Sequence, residues 1–371
     1  MSHPPADGPA PARVLLTTDT AGGVWTYAME LGTALEAEGI GVTLAALGEE
    51  PSTAQRRDAE LRRLPLHSFR CRLPWMVDPW DELRVAGQWL LGLAGRCGAD
   101  VVHLNEPVLG ALEWPVPTVA VVHSCVLSWW EAVLDRPAPE EWNRYRDAMT
   151  AGLSAAEVVV APSQAMLACV ARHYGVSGLA IPNGRDAGEL LPDAKDGFVL
   201  TATRLWDAAK NVRALDQAAA GLSWPVFAAG EPVSPDGRPE CPAHLSLLGQ
   251  LDRRRLGSWL SRAAIFALPA KYEPFGLSIL EAAHAGCALV LGDIPSLREH
   301  WDGVAIFVPP DDTHLLRLAL DSLIEDPGLR QTLAMRARRR ALDYSARRMA
   351  LAYRGVYRAA LAREEATACA S

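Results

Sequence analysis

The chain has 371 residues, half of them apolar, and carries a net charge of -8. That length leads to an expectation of two domains, each able to bury its own core. The acidic balance excludes a general nucleic-acid binder, and no run of about 18 uncharged apolar residues marks a membrane span. Seven scattered cysteines, odd in number and without a Cys-x-x-Cys pair, fit reduced thiols and a cytoplasmic chain.

Residues 1–12 are Pro- and Ala-rich and read as a disordered lead-in rather than a signal peptide. Val14 to Leu16 read as a buried strand that runs through Asp19 into Ala21-Gly22-Gly23 and a helix from about Val24 to Glu38. Val42 to Ala46 then make the next strand of a parallel sheet. The loop lacks Gly-x-Gly-x-x-Gly, so no dinucleotide fingerprint is present. A Gly-Gly step before a helix still lets backbone amides approach a phosphate. Six arginines (56, 57, 62, 63, 70 and 72) follow. They read as a solvated face, with an anionic lipid or an acidic acceptor as the alternative.

A strand over Val101 to Asn105 delivers Asn105 and Glu106 to its carboxyl end, where ligands of doubly wound sheets collect. The strand Thr118 to Val122 ends at His123 and Ser124, and Trp129 and Trp130 come shortly after. Aromatic faces suit sugar rings as well as core packing. Asp19, Asn105, Glu106, Ser124, Trp129 and Trp130 are therefore the candidates for an acceptor pocket. A helix-rich stretch from Glu140 to Ser154, a strand over Val158 to Ala161 and a helix over Gln164 to Tyr174 lead to Ile181-Pro182-Asn183-Gly184. A polar, Gly/Pro-punctuated segment follows.

The second half opens with a strand, Phe198 to Ala202. Arg204 leaves it, and Lys210-Asn211 are expected to begin a helix. A cation at a helix start opposes the dipole, so Lys210 makes sense there if an anion arrives to neutralise it. A strand and turn are expected at Pro225 to Gly230, the segment Leu245 to Leu251 follows, and then a helix is expected at Leu256 to Ala263 and a strand at Ala264 to Pro269. Next comes Glu273-Pro274-Phe275-Gly276-Leu277-Ser278-Ile279-Leu280-Glu281. Pro274 suits the first position of a helix running from Phe275 to Ala285. The first amides, at Phe275, Gly276 and Leu277, would form an anion and hydroxyl site. Glu273 and Glu281 would be separated by roughly 12 Å. That is too far to share a proton, which argues against a two-carboxylate hydrolase. It suits a long ligand with hydroxyls at both ends and negative charge between them, the layout of a sugar nucleotide.

This segment resembles the Glu-x7-Glu signature of retaining GT-B glycosyltransferases of the family-4 type (glycosyl transferases group 1). Arg204 and Lys210 resemble the family's Arg-x5-Lys pair, and Ile-Pro-Asn-Gly resembles its interdomain crossing. The resemblance implies an α/β protein of two Rossmann-like domains with parallel sheets facing across a deep cleft. Residues 13–182 would form the acceptor-side domain, 183–197 a linker and 198–343 the nucleotide-sugar domain, with 344–371 crossing back as a helix. It further implies a donor site of Gly22, Gly23, Arg204, Lys210, Leu248, Gly249, Leu251, Glu273, Phe275, Gly276, Leu277 and Glu281. His123, Arg204, Lys210 and Glu273 would be catalytic. His123 would bond a sugar hydroxyl, the two cations would neutralise the leaving diphosphate, and Glu281 would take the ribose. The loop from Glu231 to Pro242 departs from the family's Gly-rich turn.

No Asp-x-Asp occurs, so a metal-clamped diphosphate is not expected, and the nucleotide sugar would be a co-substrate rather than a cofactor. The implied partners are a UDP-, GDP- or ADP-sugar and a carbohydrate, natural-product or lipid-linked acceptor, with no nucleic acid and with peripheral membrane contact left open. The implied enzyme is a hexosyltransferase. Three alternatives stay open: an inverting transferase with Asp19 as base, a nucleotide-sugar epimerase, and a non-catalytic carbohydrate-binding protein.

Overall fold

The computed structural model describes residues 10–188, 190–234 and 237–370, the last seven by backbone alone. Most of the expected lead-in, residues 1–9, lies outside them. The chain divides into two compact units. The first comprises Met1–Ser128, Pro137–Gly184 and Ala346–Ser371; the second comprises Trp129–Arg136 and Arg185–Ser345.

From the N-terminus the elements are β1 (Arg13–Asp19), α1 (Gly23–Ala37), β2 (Gly41–Gly48), α2 (Thr53–Leu61), β3 (Leu66–Arg70), α3 (Trp80–Cys97), β4 (Val101–Leu104) and β5 (Thr118–Val121). Then come α4 (Val126–Leu134), α5 (Asn143–Ala155), β6 (Val158–Ala161), α6 (Gln164–Tyr174) and β7 (Leu179–Ala180). The strands form one parallel sheet in the order β3-β2-β1-β4-β5-β6-β7. Every residue of β4, β5 and β6 is buried. That is why these strands are unbroken apolar runs rather than alternating ones, apart from His103 and Thr118.

The second unit contains β8 (Asp196–Ala202), α7 (Val212–Ala219), β9 (Val226–Ala229), β10 (Leu245–Gly249), α8 (Arg253–Arg262) and β11 (Ala263–Leu268). It continues through α9 (Leu277–His284), β12 (Ala288–Gly292), α10 (Pro295–Trp301), β13 (Ile306–Val308), α11 (Thr313–Glu325) and α12 (Pro327–Ala341). Its strands are also parallel, in the order β10-β9-β8-β11-β12-β13. Successive side chains go to opposite faces. Leu200, Phe266, Leu289 and Leu291 enter one core, whereas Val199, Ile265, Ala288 and Val290 enter the other.

The last helix, α13 (Ala346–Ala370), belongs to the first unit. Arg347 and Arg354 on it each reach Glu38 at 3.0 Å. Of the six arginines between 56 and 72, four are in ion pairs: Arg56 with Glu50, Arg62 with Glu30 and Asp58, Arg70 with Glu49 and Arg72 with Glu82. Among the described residues no helix is long and apolar enough to cross a membrane.

Both sheets carry the strand order of a doubly wound fold. The order reverses direction between β1 and β4 in the first and between β8 and β11 in the second. Connections from such neighbours diverge to opposite faces, which opens a crevice at their carboxyl ends.

Two local expectations are corrected. Pro274 does not start α9; the helix begins at Leu277, because Gly276 adopts φ +91° and caps it. Lys210 does not open a helix either. It closes a 3-10 turn over Ala208–Lys210, and α7 starts only at Val212. The break is Asn211, at φ +56°. Its side-chain amide pins the turn to the Pro269 carbonyl at 2.9 Å and to the Pro310 carbonyl at 2.7 Å.

Candidate active site

In the second unit the loops after β8 and β11 meet at the reversal point. The turn after β9 presses against the exit of β8. Only glycine is tolerated at position 230, because a Cβ there would run into the Thr203 carbonyl. Arg204 follows Thr203 and is exposed. It donates to Asp207 Oδ2 at 2.9 Å, and its guanidinium lies 5.3 Å from the ring centre of Trp206. Asp207 is buried and accepts from the Ala209 amide at 3.0 Å and from the Trp129 indole at 3.4 Å. Asp207 thus holds both Arg204 and the turn that carries Lys210.

Lys210 Nζ donates to Glu273 Oε2 at 2.8 Å and to the Tyr272 carbonyl at 3.5 Å. It therefore already faces an anion, so an incoming charge is not needed to neutralise it. The Glu273 carbonyl accepts from Ser296 Oγ at 2.6 Å, and its Oε1 accepts from the Phe275 amide at 3.4 Å. The Phe275 amide is thus turned back on Glu273 rather than left open. No side chain caps α9, so its leading backbone donors are available to a ligand. A Cβ at Gly276 would sit 2.6 Å from Ile279 Cδ1, a second reason beyond its φ for glycine there.

Glu281 is buried within α9 and forms an ion pair with Arg185. The two glutamates of the signature thus belong to different ion pairs. The β10 exit is irregular: the register shifts between Leu247 and Gly249. The Gly249 carbonyl accepts from the Gly230 amide at 2.9 Å, while Leu248 and Leu251 pack half-buried on the core.

In the first unit Asp19 ends β1, and its Oδ1 accepts from the Ala21 amide at 2.9 Å. Gly22, at φ +100°, caps α1, and both Gly22 and Gly23 are exposed. At the neighbouring exit, the Asn105 amide donates to Thr17 Oγ1 at 2.7 Å. Asn105 Nδ2 donates to the Thr17 carbonyl at 2.5 Å. Its Oδ1 lies 2.7 Å from His123 Nε2.

These contacts assign the tautomer of His123. A carbonyl only accepts, so the Asn105 atom facing Thr17 is the amino group and the other is an acceptor. His123 Nε2 must then carry the proton, which leaves Nδ1 with a lone pair. Burial pushes the His123 pKa down to about 3, so the ring is neutral. Tyr27 packs edge-on against it at 4.4 Å.

Buried His103 lies between the Tyr27 hydroxyl at 3.2 Å and the Tyr357 hydroxyl at 2.7 Å. Burial, and then His123, push its pKa to about 3. Glu106 is buried, and burial together with the charge of Asp19 drives its carboxyl well above the usual range. Ser124 is exposed. Trp129 and Trp130 meet edge-on at 6.1 Å and fall in the second unit, with Arg136 4.9 Å over the Trp130 ring.

Sequence reasoning missed Asp207, Arg185, Tyr27 and Tyr357. Asp207 had a signal, an aspartate ahead of a short turn and three positions after Arg204. Arg185 had only its place after Ile-Pro-Asn-Gly, and the tyrosines had none. Among the described residues no group of three His, Cys, Asp or Glu side chains could hold a metal ion.

Residues 21–189 match the model of Glycosyltransferase Family 4, and residues 240–340 match that of Glycosyl transferases group 1. The glycogen synthase of Mycobacterium tuberculosis is 39% identical over 116 residues, 30% of this chain and 28% of that protein. The match therefore spans well under a third of that relative's length. Sucrose-phosphate synthase from Thermosynechococcus elongatus superposes with a TM-score of 0.75 at 19% identity, covering 93% of this chain and 98% of that one. The Anabaena protein HepE, solved in complex with UDP and glucose, gives 0.72 at 16% identity over 92% and 97% of the two chains. At such identities the likeness establishes the fold. The two parallel sheets and the two family matches agree on a GT-B fold glycosyltransferase, consistent with the family 4 and group 1 models.

Proposed function

We propose that the chain moves a sugar from a nucleoside-diphosphate sugar to an acceptor hydroxyl, with retention at the anomeric carbon. The observation that carries this reading is the pairing of Lys210 with Glu273 at 2.8 Å, beside the glycine-capped start of α9. A cation and a carboxylate beside a helix start without a side-chain cap, at the reversal point of a doubly wound sheet, support it. Lys210 and Arg204 take the diphosphate, Glu273 takes sugar hydroxyls, Glu281 takes the ribose, and the Leu248 to Leu251 backbone faces the base. His123 Nδ1 accepts from a ligand hydroxyl.

In the reaction the bond from the anomeric carbon to the diphosphate oxygen breaks and a bond to the acceptor oxygen forms on the same face. The acceptor proton passes to the departing phosphate oxygen. Positioning and stabilisation of leaving-group charge supply the rate, and the two cations do the work that a metal does elsewhere.

The test is a melting-temperature screen with UDP-, GDP-, ADP- and TDP-sugars. A ligand at a hundred times its Kd adds about 2.7 kcal/mol to stability by mass action. One base series should raise the melting temperature, and no shift with any of the four would sink the reading. With the donor in hand, NMR of the product reports the anomeric configuration. An inverted product would replace retention with the inverting alternative, and isomerisation of donor alone would indicate an epimerase.

A further inference from the structure

We propose that Arg185 is the positioning residue for Glu281, and that through Glu281 it sets how strongly the protein prefers ribonucleotides over nucleotides lacking the ribose diol. The proposal rests on the reading of Glu281 as the ribose-binding carboxylate.

Arg185 is 4% exposed and Glu281 9%, and the guanidinium Nη1 pairs with Glu281 Oε1. The backbone of Arg185 is held at both ends. Its amide donates to the Tyr344 carbonyl at 2.8 Å, and its carbonyl accepts from His284 Nε2 at 3.0 Å. Glu281 and His284 lie one turn apart on the same face of α9. The helix therefore grips Arg185 at two points, the side chain through Glu281 and the main chain through His284. Burial holds the His284 pKa below its ordinary value, and because a carbonyl only accepts, its Nε2 is the donor to Arg185.

A carboxyl buried in α9 without a cation would take up a proton or turn toward water. Arg185 keeps it ionised and fixes its direction. An ionised carboxylate is the stronger acceptor for a pair of vicinal hydroxyls. A guanidinium with its own backbone anchored cannot follow the carboxylate elsewhere, so the acceptor direction is set before ligand arrives. An ion pair that served only to hold the fold would leave the preference for the diol untouched.

Calorimetric titration of the full chain with UDP, GDP and ADP and with their 2′,3′-dideoxy counterparts tests this. The wild type should bind one ribonucleotide about ten- to a hundredfold more tightly than its dideoxy form. Arg185→Met should bring that ratio close to one, and Arg185→Lys, a point charge without the planar fork, should give an intermediate ratio. The double variant Arg185→Met/Glu281→Gln removes both buried charges and should fold with a ratio near one. Should Arg185→Met not fold, Arg185→Lys reads the same quantity. A wild type that discriminates, with Arg185→Lys and Arg185→Met discriminating equally, overturns the proposal alone. A wild type that binds both forms alike overturns the ribose reading of Glu281 and the proposal with it.

Discussion

The two reversal-point crevices share a topology and differ in how they carry polar groups. In the first the groups around Asp19 are mostly uncharged: two histidines with pKa values near 3, a carboxyl whose pKa burial and Asp19 push up, an amide and two tyrosines. In the second the groups are ion pairs: Arg204 with Asp207, Lys210 with Glu273, Arg185 with Glu281. An isolated charge out of water is costly, and a protein can either discharge it or pair it. Asp19 apart, the first crevice does the former and the second the latter. A neutral network suits a ligand that offers hydroxyls; fixed charges at the start of a helix suit one that brings a diphosphate.

If pairing sustains the second unit, breaking the most buried pair should have the largest effect. Glu281→Ala leaves Arg185 buried without its carboxylate and should cost about 3–5 kcal/mol of stability. Urea unfolding measures this directly. A loss below about 1 kcal/mol would mean that Arg185 reaches water easily, and the contrast between the units would lose its sharpest instance.

Lys210→Ala comes next. Loss of one preorganised donor to a developing oxyanion lowers kcat by about a hundredfold. The variant should keep its circular dichroism and melt somewhat lower, because Glu273 loses its partner, while losing transfer. Turnover like that of the wild type would show that the second unit's charges serve the fold alone.

Much of this architecture was legible in the chain. The runs Val158 to Ala161 and Gln164 to Tyr174 coincide with β6 and α6. The apolar run of that strand ends at a serine cap, and the helix ends at Gly175 in the left-handed region. The start of α9 is not legible because Pro274 is a good first helical residue, while the positive φ of Gly276 appears only in the folded chain. Of the ion pairs only Arg204 with Asp207, three positions apart, had a signal in the chain. Lys210 and Glu273 lie 63 positions apart. Each reads from sequence as a group awaiting ligand, and only the meeting of the β8 and β11 loops makes them partners. The tautomer of His123 is of the same kind, since it depends on which way the amide of Asn105 turns.

The smallest effect tests the neutral side of the comparison. Glu106 has a folded pKa above its ordinary 4.5, raised by burial first and by Asp19 second. Above pH 4.5 the unfolded chain releases this proton while the folded chain keeps it. Stability should therefore fall as pH rises through that window, by at most about 1.4 kcal/mol per pH unit. Below pH 4.5 the group is protonated in both states and contributes no slope. His103 and His123 run the other way. Their folded pKa values near 3 lie below the ordinary 6.5, so stability is full above 6.5 and lost as pH falls toward 3. Glu106→Gln removes the carboxyl and leaves the histidines. Their slopes then cancel when the two proteins are compared at each pH. The stability of the wild type relative to Glu106→Gln should be level below pH 4.5 and decline above it. A difference that stays level from pH 5 to 8 would show Glu106 to be ionised in the folded chain, and the first crevice would then hold a second buried carboxylate beside Asp19.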